Sequence, residues 1–322
     1  MVAQTSVVIF DRIQSFIDPW VATAQGRGWR TYIAEGPVNP DMVEGCDIIF
    51  CNWADHLAVS LSQKRWPGHL AVMVRSYEAY SGFLSGMNWD NVDLLVFVAP
   101  HINEYCRITY PIPEDLPTHI VPDCVDPNAF PLKEDLSKGN RVAYVGRFGA
   151  PKNTEFLVSA AYEYPDYEFC FKGPFEDKRC QAFMAYHQAR TDNITVEGPS
   201  GSGKWHDGTG VNEFLDGCHY IASPSYHEGT HMALLEGMSK GLVPLVQDRP
   251  GALYPWTYSS MKDFGEHLES QNPSEDFRKF IQEYRNTSIR EEAINHMWDA
   301  LDPSPAIIGK VPVYRIDGDL GA

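Results

Sequence analysis

The segment 219–246 has residue types and a spacing that suit phosphate binding. Its letters, HYIASPSYHEGTHMALLEGMSKGLVPLV, predict a strand, a Ser-Pro-Ser loop, a helix that begins near His231, and a second strand. Gly229 and Thr230 permit a tight turn into that helix. The free N–H groups and the positive dipole end of a helix start attract anions, so we expect a phosphate site here.

Two acids flank this turn. Glu228 precedes it, and Glu236 lies just over one helical turn inside the helix. Carboxylates repel phosphate, but they accept hydrogen bonds from the hydroxyl groups of sugars and ribose. The pattern therefore predicts a pocket for a molecule with both phosphate and hydroxyl groups. The alternative, a solvated helix face, is disfavoured because the helix is apolar at Met232, Leu235 and Met238.

Polar residues also follow two predicted strands of the N-terminal half. They form the segments 52–56 (Asn-Trp-Ala-Asp-His) and 75–78 (Arg-Ser-Tyr-Glu). Ligands of open parallel sheets bind at the carboxyl ends of strands, so we expect both segments to face a ligand cleft. If the protein uses a general base, position favours Asp55 or His56. The alternatives are that Asp55 caps a helix and that Arg75 forms a structural ion pair.

Short apolar runs alternate with longer amphipathic segments along the chain, a pattern typical of parallel strands joined by helices. The predicted strands are 7–10, 47–51, 69–74, 94–98 and 119–121 in the first half, and 141–145, 168–172, 193–197, 219–222 and 243–246 in the second. The predicted fold class is therefore α/β, with doubly wound parallel sheets.

The alternation of apolar runs and amphipathic segments is interrupted at the polar segment 131–140, where we place the domain boundary. The sequence thus predicts an N-terminal domain at 1–130, a linker at 131–140, a C-terminal domain at 141–302 and a tail at 303–322. Because ligands bind at the carboxyl ends of the strands in both sheets, we expect the site to lie between the domains.

The spacing of Glu228 and Glu236 resembles the E-x7-E signature of a large family of retaining glycosyltransferases, the family 4-like glycosyl transferases group 1, which has the GT-B architecture. Residues 143–147 (Ala-Tyr-Val-Gly-Arg) and 151–153 (Pro-Lys-Asn) resemble that family's strand, Gly-Arg and Lys element. Residues 119–130 resemble its interdomain segment. The resemblance implies two Rossmann-like domains that face a cleft.

The chain departs from the family pattern at two places. Asp123 and Cys124 stand where the family's interdomain segment usually has Asn and Gly. The family's Gly-Gly acceptor loop is absent, and the segment 11–16 (Asp-Arg-Ile-Gln-Ser-Phe) takes its place. Because the Gly-Gly loop belongs to the acceptor side in the family, the segment 11–16 changes how an acceptor would be recognised.

The resemblance implies a role for each matched residue. Glu236 would bind the ribose hydroxyls of a nucleotide, and Glu228 would contact the donor sugar. In several relatives a His contacts that sugar, and Arg75 stands near its place here. The backbone of Gly229, Thr230, His231 and Met232 would hold the diphosphate. The Gly-Arg and Lys element, formed by Gly146, Arg147 and Lys152, would hold it as well, and its two cations would neutralise the negative charge. The alternative for Arg147 and Lys152 is that they are a pair of surface charges after a strand.

The implied activity is the transfer of a sugar from a nucleotide-diphosphate donor to an acceptor hydroxyl, with retention of anomeric configuration. The departing phosphate helps to deprotonate the incoming hydroxyl, so no protein nucleophile is required. No Asp-x-Asp pair is positioned for a metal-bound diphosphate, which favours a metal-independent reaction without a cofactor. UDP-sugars and GDP-sugars are the leading donors.

Two other functions fit the same architecture. A nucleotide-sugar 2-epimerase needs no acceptor, but the expected pattern of His and acids is not evident. A non-catalytic nucleotide-sugar-binding protein would explain the altered segment 11–16, although the intact set of acids and cations argues against it.

The chain is acidic, with 26 Lys and Arg against 43 Asp and Glu and a formal net charge of −17. This charge opposes binding to nucleic-acid backbones and to anionic lipid surfaces. We therefore expect a soluble glycan, a small molecule or a modified macromolecule as acceptor, with a hydroxylated nucleic-acid base as a disfavoured variant. No apolar run is long enough to span a membrane and no leader is evident, so we expect a cytoplasmic protein.

The cysteines and histidines do not indicate a metal site. Seven dispersed cysteines without a C-x-x-C pair predict reduced thiols. His227 and His231 have no third ligand at a suitable spacing. The Gly- and Ser-rich run at 198–204 lacks P-loop spacing and is predicted to be a flexible loop near the nucleotide.

Overall fold

The computed structural model describes residues 4–11, 16–34, 40–197, 210–253 and 255–302. The predicted loop at 198–204, the predicted tail at 303–322 and most of the segment 11–16 lie outside these ranges.

The protein divides into two compact units, each with its own parallel sheet. The first unit runs up to Pro122 and resumes from Arg290 onward, and the second is Asp123–Ile289. The chain therefore passes between units at two points, whereas the sequence predicts a single linker at 131–140. That segment lies inside the second unit, to which its backbone is hydrogen-bonded.

The sheet of the first unit has six described strands. They are β1 (Ser6–Phe10), β2 (Arg30–Ala34), β3 (Ile48–Cys51), β4 (His69–Val74), β5 (Leu94–Phe97) and β6 (Thr118–Ile120). All neighbours are parallel, in the order β2-β1-β3-β4-β5-β6.

The sheet of the second unit also has six described strands. They are β7 (Arg141–Val145), β8 (Glu168–Lys172), β9 (Ile194–Glu197), β10 (Tyr220–Ser223), β11 (Val243–Gln247) and β12 (Thr257–Tyr258). The order is β12-β11-β10-β7-β8-β9, again all parallel. Strands β8 and β9 follow on one side of β7, and β10, β11 and β12 follow on the other side. This switch point opens a crevice at the carboxyl ends of β7 and β10.

Helices connect the strands. They are α1 (Asp18–Gly26), α2 (Pro40–Glu44), α3 (His56–Ser62), α4 (Ser76–Ser81), α5 (Pro100–Thr109), α6 (Thr154–Glu163), α7 (Lys178–Gln188), α8 (Val211–Asp216), α9 (Met232–Ser239), α10 (Met261–Ser270), α11 (Glu275–Tyr284) and α12 (Thr287–Leu301). Side-chain oxygens of Asp177, Ser260 and Ser274 cap α7, α10 and α11, which explains where these helices begin. Along the described parts of the chain, no helix is long and apolar enough to cross a membrane.

The predicted α/β fold class with two doubly wound sheets is confirmed, and all ten predicted strands occur within one residue of their predicted ends. The sequence missed β2 and β12. β2 lies at the edge of its sheet and is largely exposed, so it has no apolar run to mark it. β12 has only two residues.

The last described helix, α12, packs into the core of the first unit. The ring centroid of Trp298 lies 5.8 Å from that of Trp20 and 5.5 Å from those of Trp29 and Phe50. Its indole N–H also donates to Thr23 Oγ1 at 3.0 Å. The helical pattern in the sequence shows that α12 has a buried face but not which core that face covers. This is why α12 had been predicted as part of the domain 141–302.

We expect Trp298→Ala to lower the free energy of unfolding of the first unit by about 3–5 kcal/mol, because it leaves a cavity among three aromatic rings. The measurement is urea unfolding followed by tryptophan fluorescence and circular dichroism. The matched control is Ile108→Ala on α5, where the side chain is 88% exposed and the expected change is negligible. Equal losses for the two variants would contradict this packing.

Candidate functional site

The start of α9 lies at the crevice of the second sheet. α9 follows β10 after the Ser-Pro-Ser loop and begins at Met232, so the predicted start near His231 is confirmed. His231 is the N-cap residue, with an extended backbone (φ −86°, ψ 94°), and its side chain makes no capping hydrogen bond to the helix. Because the first N–H groups of a helix have no intrahelical acceptor, this uncapped end can bind an anion.

The structure brings two predicted site residues into direct contact. Lys152 Nζ lies 2.5 Å from Oε1 of Glu228, and Ser225 Oγ donates to the same oxygen at 2.7 Å. Glu228 is only 8% exposed. Burial opposes ionisation of Glu228, but the charge of Lys152 and the hydrogen bonds from Lys152 and Ser225 hold its pKa below the ordinary value. The pair is therefore ionic.

Local geometry explains how Lys152 reaches this position. A 3-10 turn at Ala150–Lys152 follows β7, and the next residue, Asn153, has a left-handed backbone (φ 49°) that leads into α6. Tyr226 Oη donates to Asn153 Oδ1 at 3.1 Å and ties this turn to the loop before α9. The two turns are thus linked by an ion pair and by a neutral hydrogen bond.

Gly146 and Arg147 follow β7 directly, as predicted. The hydroxyl of the buried Tyr144 donates to the carbonyl of Arg147 at 2.8 Å and so holds this turn. The Arg147 side chain is exposed and makes no hydrogen bond or ion pair with the residues that the structure describes. It lies at the same strand end as Lys152, where both cations can approach an anion.

His231 is held in one neutral form. Its Nε2 lies 3.1 Å from the carbonyl of Val145, which can only accept, so Nε2 carries the proton. Its Nδ1 then accepts from Ser223 Oγ at 2.7 Å. Burial lowers the pKa of His231 to about 4, so the ring is uncharged at neutral pH.

Arg249, which the sequence analysis did not single out, anchors the other end of this chain of hydrogen bonds. Its Nη2 donates to Ser223 Oγ at 2.7 Å, which orients that hydroxyl toward His231. Its Nη1 lies 3.0–3.3 Å from the carbonyls of Ser223, Ser225 and Gln247. Arg249 follows β11 closely, so the strand-end rule applied to other segments would have found it.

Glu236 lies in the second turn of α9 and is partly buried. Its carboxylate makes no hydrogen bond with any described residue. Burial alone raises the pKa of Glu236 to about 7. A partly buried carboxylate without a hydrogen-bond donor can accept hydrogen bonds from the hydroxyl groups of a ligand.

A pocket lies beside the start of α9, wholly within the second unit. It is lined by Glu228, Gly229, Thr230 and His231 from the turn, by Leu234, Leu235 and Val246, by Arg249 and 251–253 from the segment after β11, and by Arg285. Predicted donor-site residues thus share one pocket with two arginines that sequence reasoning missed.

Asp55 and His56 have structural contacts in the first unit. The Asp55 carboxylate caps α3 by accepting from the backbone N–H of Leu57 at 2.8 Å, which agrees with the capping alternative. The His56 ring packs edge-on against Phe83, with centroids 4.6 Å apart. Neither contact shows a role as a general base.

Arg75 belongs to a buried polar cluster at the ends of β1, β3 and β4. Its guanidinium lies over the rings of Phe16 and Trp53, 4.8 and 4.9 Å from their centroids, and donates to Asn52 Oδ1 at 3.3 Å. Asn52 and Trp53 in turn donate to Asp11, at 2.7 and 3.0 Å. The segments 52–56 and 75–78 therefore meet at one sheet edge, as expected for parallel strands.

Within the described ranges, no group of three or more His, Cys, Asp or Glu side chains is arranged to hold a metal ion. The two ring nitrogens of His231 are both hydrogen-bonded. The cysteines in this part of the chain are free thiols.

No protein-family profile and no curated protein matches this chain in sequence. Solved structures match it in fold. Sucrose-phosphate synthase from Thermosynechococcus elongatus gives a TM-score of 0.70 at 13% identity, over 92% of this chain and 99% of that one. The apo form of WaaB, a lipopolysaccharide outer core galactosyltransferase, gives a TM-score of 0.64 at 14% identity, over 92% and 99% of the two chains.

A mutant of S. aureus TarM in complex with fondaparinux, alpha-GlcNAc-glycerol and UDP gives a TM-score of 0.61 at 10% identity. The match covers 79% of this chain but only 55% of TarM, so the chain spans about half of TarM's length. At these identities the likeness shows the fold alone. The fold of this chain is that of the GT-B glycosyltransferases, two α/β units with parallel sheets.

We expect Arg249→Leu to lower the free energy of unfolding of the second unit by about 2–4 kcal/mol, because it leaves several buried acceptors without a donor. Urea unfolding followed by circular dichroism measures the loss. The control is Arg190→Leu on the surface, whose guanidinium stacks over the exposed Tyr186 ring. A loss no larger than that of the control would show that Arg249 does not hold the site together.

Proposed function

We propose that the protein is a retaining, metal-independent glycosyltransferase that moves a sugar from a nucleotide-diphosphate donor to an acceptor hydroxyl. The observation that carries this proposal is the ion pair between Lys152 and the buried Glu228 beside the uncapped start of α9. A cation, a buried carboxylate and backbone N–H groups of a helix start therefore occur in one small region. A nucleoside diphosphate sugar needs all three.

The diphosphate is bound by the backbone at 229–232 and by the two cations after β7. Lys152 carries three N–H donors, of which one points to Glu228, so the others can reach phosphate oxygens. Arg147 adds a guanidinium that no described side chain engages. Together they supply the positive charge that a divalent metal ion supplies in other enzymes, which is why we propose a metal-independent reaction without a cofactor.

The two acids bind hydroxyl groups. Glu236 accepts hydrogen bonds from the ribose, since its carboxylate has no other donor among the described residues and burial raises its pKa. Glu228, which stays ionised, accepts a hydrogen bond from a hydroxyl group of the sugar. These contacts place the anomeric carbon next to the diphosphate.

The chemical step follows from this placement. The bond between the anomeric carbon and the diphosphate oxygen breaks, and the acceptor hydroxyl oxygen bonds to the same face of that carbon. The departing phosphate oxygen takes the hydroxyl proton, so no nucleophile is needed from the protein. Lys152, Arg147 and the α9 start stabilise the charge that develops on the leaving group. A base from the first unit, Asp55 or His56, is dispensable in this scheme.

UDP and GDP are the nucleotides that we propose for the donor; the TarM structure contains UDP. For the acceptor we propose a soluble glycan, a small molecule or a modified macromolecule, because a net charge of −17 opposes binding to nucleic acid. A cytoplasmic location belongs to the same proposal, since the described cysteines are free thiols.

A thermal-shift screen against UDP-, GDP-, ADP- and CMP-sugars, with and without EDTA, tests the proposal. We expect one nucleotide series to raise the melting temperature equally in both conditions. A hit is then assayed for nucleotide release with a panel of acceptors. A shift that EDTA abolishes would contradict metal independence, and an isomerised sugar with no nucleotide release would indicate an epimerase. No shift with any nucleotide would overturn the proposal.

The two acids have separable roles. We expect Glu228→Gln to lower kcat by about 10²-fold or more while it changes donor affinity little, because the sugar contact strengthens in the transition state. Glu236→Ala should mainly weaken donor binding. Steady-state kinetics and calorimetry distinguish these effects, with Glu283→Gln on the exposed face of α11 as the control. Unchanged kinetics in both site variants would refute the assignments.

The pKa of Glu236 predicts a pH dependence of donor binding. Hydroxyl donors favour the ionised carboxylate, so binding lowers this pKa and releases a proton. Affinity should therefore fall as the pH drops below about 7 and be about tenfold weaker at pH 6 than at pH 8. UDP-glucose is a suitable probe because its diphosphate does not titrate in this range.

Glu236→Gln cannot titrate and is the control for this effect. Its affinity should be lower than that of the wild type at pH 8 and independent of pH between 6 and 8. The same slope in the variant and the wild type would show that another group titrates.

A further inference from the structure

Arg285 is a charged residue of the same pocket to which the proposed reaction gives no role. It directly follows α11, where its backbone N–H donates to the carbonyl of Ile281 at 2.8 Å. Its own carbonyl accepts from the N–H of Val125 at 2.9 Å. Arg285 is partly buried and lines the pocket together with Glu228. Its backbone is thus fixed on both sides, at the wall of the pocket.

The Arg285 guanidinium has no hydrogen-bonded partner in the described part of the chain. It forms no hydrogen bond or ion pair with any residue that the structure describes. Burial lowers the pKa of Arg285, and the nearby Cys124 and Asp123 only partly offset this effect. Arg278 in α11 differs from Arg285 because its guanidinium has a structural role. It donates to the carbonyls of Phe130, Ser239 and Pro127, each at 3.0 Å.

The other charged groups of the pocket already have partners. Arg249 donates to backbone carbonyls and to Ser223, and Glu228 is paired with Lys152. Among the described residues that line the pocket, Arg285 is therefore a charged residue without a hydrogen-bond or ion-pair partner, and its guanidinium is a planar fork of N–H donors. Such a fork matches the two oxygens of a carboxylate.

A carboxylate fits this place better than a phosphate dianion. The neighbouring Glu228 is ionised and repels additional negative charge. One guanidinium balances the single charge of a carboxylate but not the two charges of a phosphate monoester. The diphosphate of the donor has its own cations, Lys152 and Arg147, at the end of β7.

We propose that Arg285 binds a carboxylate on the transferred sugar, so that the preferred donor is a nucleoside diphosphate uronic acid. This inference rests on the proposed function, in which Glu228, another residue of the pocket wall, contacts the same sugar. Arg285 is then the residue that selects acidic over neutral sugars. It does not take part in the chemical step.

Paired donors that differ only at C6 test this proposal with the whole chain of 322 residues. The pairs are UDP-glucuronic acid with UDP-glucose, UDP-galacturonic acid with UDP-galactose, and GDP-mannuronic acid with GDP-mannose, with free UDP and GDP as references. We expect calorimetry to show at least one acidic donor bound about tenfold more tightly than its neutral partner.

Arg285→Gln should remove this preference while it leaves the affinity for the free nucleotide within about twofold. Arg285→Lys keeps the charge but loses the fork, and it should retain a reduced preference. The control is Arg179→Gln, whose side chain is 94% exposed and which should retain the full preference. Circular dichroism and the free-nucleotide affinity show whether each variant is folded.

The outcomes distinguish the proposal for Arg285 from the glycosyltransferase proposal. Nucleotide binding without any preference for acidic donors would overturn the role of Arg285 and leave the glycosyltransferase proposal intact. A preference that survives in both Arg285→Gln and Arg285→Lys would assign the carboxylate to another residue. Binding of no nucleotide at all would overturn both proposals together.

Discussion

The ion pair between Lys152 and Glu228 joins two turns that are 76 residues apart in the chain. One turn follows β7 and the other precedes α9, so the pair bridges the switch point of the second sheet. A buried carboxylate is costly without a partner, and removal of either charge would leave the other uncompensated. The relative position of the two turns therefore depends on this contact.

A second set of hydrogen bonds, which runs from Arg249 through Ser223 to the neutral His231, fixes the same region. Arg249 orients Ser223, Ser223 donates to His231, and His231 donates to the end of β7. Because burial keeps His231 uncharged, this ring holds the start of α9 without adding positive charge. In our proposals, Lys152 and Arg147 bind the diphosphate and Arg285 binds a carboxylate.

Sequence patterns predicted the parts of this structure that burial controls. Buried parallel strands produce apolar runs, so ten strands were found, whereas the exposed edge strand β2 left no such signal. The predictions for Glu228 and Lys152 rested on family spacing, and the two side chains meet in the structure. Arg249 follows the end of β11, where the strand-end rule could have found it, whereas Arg285 follows a helix and only tertiary packing brings it to the pocket. The same limit explains α12, whose apolar face does not specify which core it joins.

A structure of the protein with a bound UDP-sugar or GDP-sugar tests the central claim most directly. We expect the diphosphate oxygens to lie within hydrogen-bond distance of the backbone N–H groups at 229–232 and of Lys152 Nζ, with the sugar next to Glu228. A diphosphate bound elsewhere in the protein, or a sugar without contact to Glu228, would contradict the account.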